Sequence, residues 1–102
     1  MMLKGQKCLV IGSGISGIGA VSLLEHFGAE IVLYDSNEKL TEEALREKLP
    51  VGSKAVCIAG ELPAEVEERM QVLVLSPGVP TDIPLVNRMR DRGVRIIGEI
   101  EL

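Results

Sequence analysis

Aromatic side chains are almost missing from this sequence: Phe27 and Tyr34 are the only two, and tryptophan does not occur. A surface that stacks nucleic-acid bases needs such rings beside a basic stripe. Here eleven Lys and Arg residues are scattered among fifteen Asp and Glu, for a net charge of −4, so nucleic acid is excluded as a partner. Cysteine is equally scarce. Cys8 and Cys57 each lie in an apolar run, without metal-ligand spacing and too few to build a disulfide framework. They read as buried, unreactive thiols. There is no apolar stretch of the ~18 residues that a membrane helix needs, and residues 1–7 are too short and polar for a secretory signal. No membrane association is expected, and the expected location is cytoplasmic. The one histidine, His26, falls near the end of a predicted helix, where a solvated or interface position is the ordinary reading. No G-x-x-x-x-G-K-[ST] phosphate loop occurs, and no set of residues forms a catalytic or metal-binding constellation.

What the chain has in quantity is aliphatic side chains. Apolar residues make up 46% of the 102, enough for the core of one domain spanning the whole chain and no more. Five aliphatic runs, at residues 7–11, 31–34, 55–58, 72–75 and 94–97, lack strict alternation. They read as strands of a parallel sheet, each buried on both faces. Helical patterns separate them. Residues 15–27 carry Ile15, Ile18, Val21, Leu24 and Phe27 at helical spacing, closed by Gly28. Residues 41–49 place Leu45 and Leu49 four apart before Pro50. A short helix is expected over 63–70, and another over 82–92 with Ile83, Val86 and Met89 on one side and Gly93 after it. Repeated β-α units with short connections predict an α/β fold: a Rossmann-like, doubly wound parallel sheet of five strands in the order 3-2-1-4-5, with helices on both faces. The closing run IIGEIEL ends without a cap or polar tail, which suggests continuation into a longer protein.

The first β-α turn holds Gly12, Gly14 and Gly17 as G-x-G-x-x-G, between a predicted strand and a predicted amphipathic helix. That spacing allows a sharp turn at Gly12, close approach of a diphosphate to the backbone at Gly14, and tight helix packing at Gly17. The helix start adds free N–H groups and partial positive charge, and Ser16 a hydroxyl. Asp35 ends the second strand, where such folds keep a carboxylate for ribose hydroxyls; Asp35-Ser36-Asn37 is equally good turn chemistry. After the fourth strand comes Ser76-Pro77-Gly78-Val79-Pro80, a stiff turn. The order 3-2-1-4-5 reverses between strands 1 and 4, so the Gly12 and Ser76 loops become the walls of a ligand crevice. NAD, another diphosphate, or an empty crevice in an interaction domain all remain open at this level.

Four stretches, KCLVIGSGISGIGAVSLL, VLYDSN, VLVLSPGVP and GVRIIGEIEL, together resemble the N-terminal domain of the UDP-N-acetylmuramoylalanine–D-glutamate ligases, a branch of the Mur ligase family of bacterial peptidoglycan synthesis. Residues 39–69 match in pattern only. The resemblance implies a domain that holds the UDP part of UDP-N-acetylmuramoyl-L-alanine instead of NAD. Gly14, Ile15, Ser16 and Gly17, with Gly12 turning the chain beneath them, would face the diphosphate. Asp35, Ser36 and Asn37 would border uracil and ribose, and Ser76, Pro77 and Gly78 would close the opposite wall. Asn37 departs from the family, which often has a basic residue there, and so supplies no charged contact. The family reaction uses ATP and Mg2+ to form an acyl phosphate that the amine of D-glutamate attacks. Those ligands belong to central and C-terminal domains, which the resemblance makes the partners of this one. By itself the chain is then expected to hold no cofactor or metal and to catalyse nothing.

Overall fold

In the computed structural model, residues 4–98 are described; the expectations for residues 1–3 and for the terminal run 99–102 lie outside them. Five parallel strands, β1 (Lys7–Ile11), β2 (Glu30–Asp35), β3 (Val56–Ala59), β4 (Val72–Leu75) and β5 (Arg95–Gly98), form one sheet in the order β3-β2-β1-β4-β5. Helices α1 (Ile15–His26), α2 (Glu42–Glu47), α3 (Ala64–Glu67) and α4 (Pro84–Asp91) connect them in turn. This is the predicted Rossmann-like α/β order.

Side chains of a strand alternate between faces, and β1 shows why the sheet needs cover on both. Cys8 and Val10 join Val21, Leu24 and Leu45 in the layer under α1 and α2. Leu9 and Ile11 join Leu73, Val86 and Met89 in the layer under α4 and the α3 segment. In the centre, β1 and β4 are buried from Cys8 to Ile11 and Val72 to Leu75. The expectation of burial on both faces fails for β3 and β5. They are edge strands, and Val56 of β3 stays 53% exposed. One cause lies in α3, which has only four residues and buries none of them, so cover on that side of the sheet is thin.

The predicted stripe on α1 meets the sheet through its middle members, with Val21 and Leu24 buried and Ile18 packed against the core, and fails at its ends. Ile15 is 95% and Phe27 49% exposed. The face that meets the sheet is Gly17, Ala20, Val21 and Leu24, an i, i+3, i+4, i+7 pattern whose first members are too small to register as hydrophobic. The other helices are shorter than expected at their ends. Thr41 is not helical but the N-cap of α2, its Oγ1 accepting a hydrogen bond from the Ala44 N–H at 3.0 Å. After α3, the N–H groups of Arg69 and Met70 bond back only three residues, to Val66 and Glu67, which tightens the chain out of α-helical geometry.

Gly17 fixes the height of α1. A Cβ there would lie 1.9 Å from the Gly12 carbonyl oxygen, a backbone atom, so the helix meets the β1–α1 loop with no room for a methyl group. Gly19, on the exposed side of the same helix, has nothing within 4 Å of such a Cβ. Two alanine substitutions two residues apart are therefore expected to act in opposite directions. Gly17→Ala should destabilise the fold by at least ~1–3 kcal/mol, the cost of overpacking. Gly19→Ala should stabilise it by about 0.5–1 kcal/mol through helix propensity. Urea unfolding of the two variants measures both; equal midpoints would refute the close approach.

Candidate functional site

The carboxyl ends of β1, β2 and β4 supply three loops to one end of the sheet. The ladder extends slightly beyond the strands, with the Gly12 N–H donating to the Tyr34 carbonyl at 2.8 Å and the Ser76 N–H to the Ile11 carbonyl at 3.2 Å. Gly12 then turns with φ +101°, a region that glycine enters without strain. A Cβ on Gly12 would meet the Ser76 side chain at 3.0 Å, and the Ser76 hydroxyl donates to the Gly12 carbonyl at 3.5 Å. The predicted walls of the crevice thus touch at their base.

Above that contact, α1 begins at Ile15 with Gly14 as its N-cap, and no side chain caps it. The first helical bond runs from the Ile18 N–H to the Gly14 carbonyl at 3.0 Å. The N–H groups of Ile15, Ser16 and Gly17 have no hydrogen-bond partner among the described residues. A helix of twelve residues directs its partial positive charge along those groups, an arrangement suited to an anion. A Cβ on Gly14 would meet nothing within 4 Å, so the approach to them is open.

Two clefts flank this helix start. One, of about 320 Å³, is lined on its polar side by Gly12, Asp35, Ser36 and Gly78 and on its apolar side by Val79, Pro80, Ile83 and Leu85. The other, of about 450 Å³, is lined by Ser13, Gly14, Ile15, Ile18 and Lys48. A larger hollow of about 520 Å³ lies away from both, along α2 and the β3 edge, among Glu42, Glu43, Arg46 and Glu47. Its carboxylates suit no anion.

Of the residues singled out from sequence, Gly12, Asp35, Ser36 and Gly78 line the first cleft, and Gly14 and Ile15 the second. Ser16, Gly17, Asn37, Ser76 and Pro77 line neither. Gly17 is packed on the loop below, Ser76 is turned onto Gly12, and the Asn37 side chain accepts from the Lys39 N–H at 3.0 Å. His26 is exposed and stacks edge-on against Phe27. Cys8 and Cys57 are buried and free. Burial pushes the Cys8 thiol up to about 11 and also raises that of Cys57.

Asp35 does more than face the cleft. Its Oδ2 accepts from the Ser13 hydroxyl at 2.6 Å and the Ser13 N–H at 3.2 Å, and its Oδ1 accepts from the Asn37 N–H at 3.0 Å. The predicted turn chemistry is therefore realised, with a brace to the glycine loop added. Partial burial pushes the Asp35 carboxyl up, but the bonds from Ser13 and Asn37 and the nearby Lys48 charge outweigh it and hold the group below the ordinary aspartate value. Sequence reasoning missed Ser13, 4% exposed and the one buried polar side chain among the described residues. It is a variable position of G-x-G, and only the partner 22 residues away gives it a role. Lys48 was missed likewise: it belongs to a charged helix pattern, where solvation is the usual reading, yet its Nζ reaches the Ser13 carbonyl at 3.4 Å and hydroxyl at 3.3 Å.

Against known proteins, residues 6–98 match the model of the "Mur ligase MurD-like, N-terminal domain" family. The chain belongs to that family. Two UDP-N-acetylmuramoylalanine–D-glutamate ligases align with this MurD-like domain over its full length, that of Lachnoclostridium phytofermentans at 45% identity and that of Lachnospira eligens at 46%. The chain spans 22% of the length of each. Among solved structures, the dehydroquinate dehydratase and shikimate dehydrogenase of S. pombe superposes with a TM-score of 0.68 at 17% identity, covering 99% of this chain and 26% of that one. Shikimate dehydrogenase of Aquifex aeolicus gives 0.58, also at 17%, covering 96% and 44%. At that identity the likeness is one of fold: the MurD-like domain shares the Rossmann-type sheet of those enzymes.

The Asp35 brace sets a pH dependence. Because the folded group sits below its unfolded value of about 3.9, its contribution is complete above that value and is lost as the pH falls through the folded one. Wild-type stability should therefore drop below roughly pH 4. Asp35→Asn should lose about 1.5–3 kcal/mol at neutral pH, the scale of hydrogen bonds to a charged group, and should show a flatter acid limb. Urea denaturation from pH 7 to pH 2 measures both; parallel acid limbs would refute the brace.

Proposed function

We propose that this domain holds the UDP end of UDP-N-acetylmuramoyl-L-alanine in an ATP-dependent ligase that adds D-glutamate to it during peptidoglycan synthesis. The observation that carries the reading is the trio of unpartnered N–H groups at Ile15, Ser16 and Gly17, opening past a side-chain-free Gly14 at the switch point of the sheet. Membership of the MurD-like family and the names of the 45–46% identical relatives support the choice of ligand. In this assignment Gly12 turns the chain, and Gly14, Ile15, Ser16 and Gly17 receive the diphosphate. Asp35, Ser36 and Asn37 border ribose and uracil. Ser76, Pro77 and Gly78 form the far wall, with Val79 and Ile83 giving the cleft an apolar floor suited to a base.

The chemistry of ligation is assigned elsewhere. The described residues contain no group of three or more His, Cys, Asp or Glu placed to hold a metal, and the sequence has no ATP phosphate loop. The reading gives ATP, Mg2+ and D-glutamate to central and C-terminal domains, and to this one the task of fixing the nucleotide so that the muramoyl end reaches them. It also places the protein in the cytoplasm, where ATP is supplied. Among the described residues no helix is long and apolar enough to cross a membrane.

An NAD-binding domain is the rival, favoured by G-x-G-x-x-G and by an acidic residue ending β2. The family match and the 45–46% identical relatives, both named as ligases, speak against it.

Calorimetric titration of the complete chain with UDP-N-acetylmuramoyl-L-alanine, UDP and NADH separates the two. Binding of the first two and none of NADH is expected; a preference for NADH overturns the proposal. Gly14→Ala provides a cleaner lever, because the methyl enters empty space and costs the fold no more than about 1 kcal/mol at an N-cap. It should weaken the nucleotide sugar by roughly ten-fold, one 1.4 kcal/mol step, and leave ATP affinity unchanged. Residues 1–102 alone should release no ADP in response to D-glutamate.

A further inference from the structure

We infer that Lys48 is a ligand-binding residue of this site: its ammonium leaves Ser13 to pair with the diphosphate seated on the start of α1. The inference rests on the reading of the site given above and extends it to a residue outside the glycine loop.

Lys48 is the C-cap of α2, 35 residues along the chain from Ser13. It nevertheless lines the cleft that Ser13, Gly14, Ile15 and Ile18 form against the first turn of α1. Its Nζ contacts, 3.3 Å to the Ser13 hydroxyl and 3.4 Å to the Ser13 carbonyl, are long beside the ~2.7–2.9 Å of a firm charge-assisted bond. An ammonium has three donors, so at least one is free, and the side chain is exposed. The Ser13 hydroxyl is already engaged, donating to Asp35 at 2.6 Å, which leaves Lys48 only two long contacts. The ammonium is thus parked beside the anion seat and weakly held.

Charge makes the same demand. The diphosphate of a nucleotide sugar brings about two negative charges, next to Asp35 and in a chain of net charge −4. Among the residues lining the two clefts that flank α1, Lys48 is the sole cation. Four other basic side chains are committed elsewhere, Lys7 to Glu30, Arg46 to the Ser53 and Ala55 carbonyls, Arg88 to Glu67, and Arg92 to the Glu67 and Glu68 carbonyls, and the rest line neither cleft.

The test uses the complete chain, with UDP and uridine as probes, and the variants Lys48→Met and Lys48→Arg. Lys48→Met should weaken UDP by about ten- to one-hundred-fold, the equivalent of one hydrogen bond to a charged group, and leave uridine, measured by displacement, within about two-fold. UDP affinity should fall with added salt in the wild type and less steeply in Lys48→Met. Lys48→Arg should recover most of the loss, and the thermal midpoints of both variants should stay within about 5 °C of the wild type, the scale of a surface charge contact. Equal losses for uridine and UDP would mean that Lys48 only steadies the Ser13–Asp35 brace and would overturn the inference, as would unchanged UDP binding in Lys48→Met. Failure of the wild type to bind UDP would remove the function reading itself, a result distinct from either.

Discussion

Contact between the Gly12 carbonyl and the bare Cα of Gly17 governs the rest of this domain. It lets α1 settle onto the β1–α1 loop with no side chain between them, which brings the first turn of the helix to the rim of the sheet. Were the helix a methyl group higher, its free N–H groups would face solvent beside the crevice and not the crevice itself. Gly12 makes the same point from below, because its left-handed turn lays the carbonyl under the helix while Ser76 closes in from β4. One backbone approach thus sets the position of the start of α1 and of the two loops around it.

A second layer of order is electrostatic. Ser13, Asp35, Asn37 and Lys48 link the β1–α1 loop, the end of β2 and the end of α2. No two of the three segments are neighbours in sequence. The carboxylate that fixes the loop also keeps a negative charge beside the start of α1, offset by the nearby Lys48.

Much of this was legible in the sequence, for identifiable reasons. Aliphatic runs such as Val72–Leu75 are long enough and central enough that burial leaves them no other state, and the strand order follows from right-handed β-α-β crossovers. The turn at Gly12 and the close packing at Gly17 could be read separately because each is local. What failed was whatever depended on distant neighbours. The ends of the α1 stripe failed because its buried face opens with glycine and alanine, which periodicity cannot weigh. The burial of β3 was overestimated although the predicted order already put it at an edge, because the run gives no sign that α3 would be too short to cover Val56. Ser13 and Lys48 were overlooked because a serine between glycines and a lysine among charges look alike whether solvated or engaged.

The corner built from α3 follows a different logic from the rest. With no buried residue of its own, that single turn is held from outside, by Arg88 on the Glu67 carboxylate and Arg92 on the Glu67 and Glu68 carbonyls. Beyond the partly buried Val66, its attachment is therefore borrowed from α4 and the residue that caps it, while α1 packs in the opposite layer. Insertions, deletions or transient fraying at this corner would leave the α1 face of the sheet undisturbed, which makes it the place where the domain can absorb change at least expense to the glycine loop.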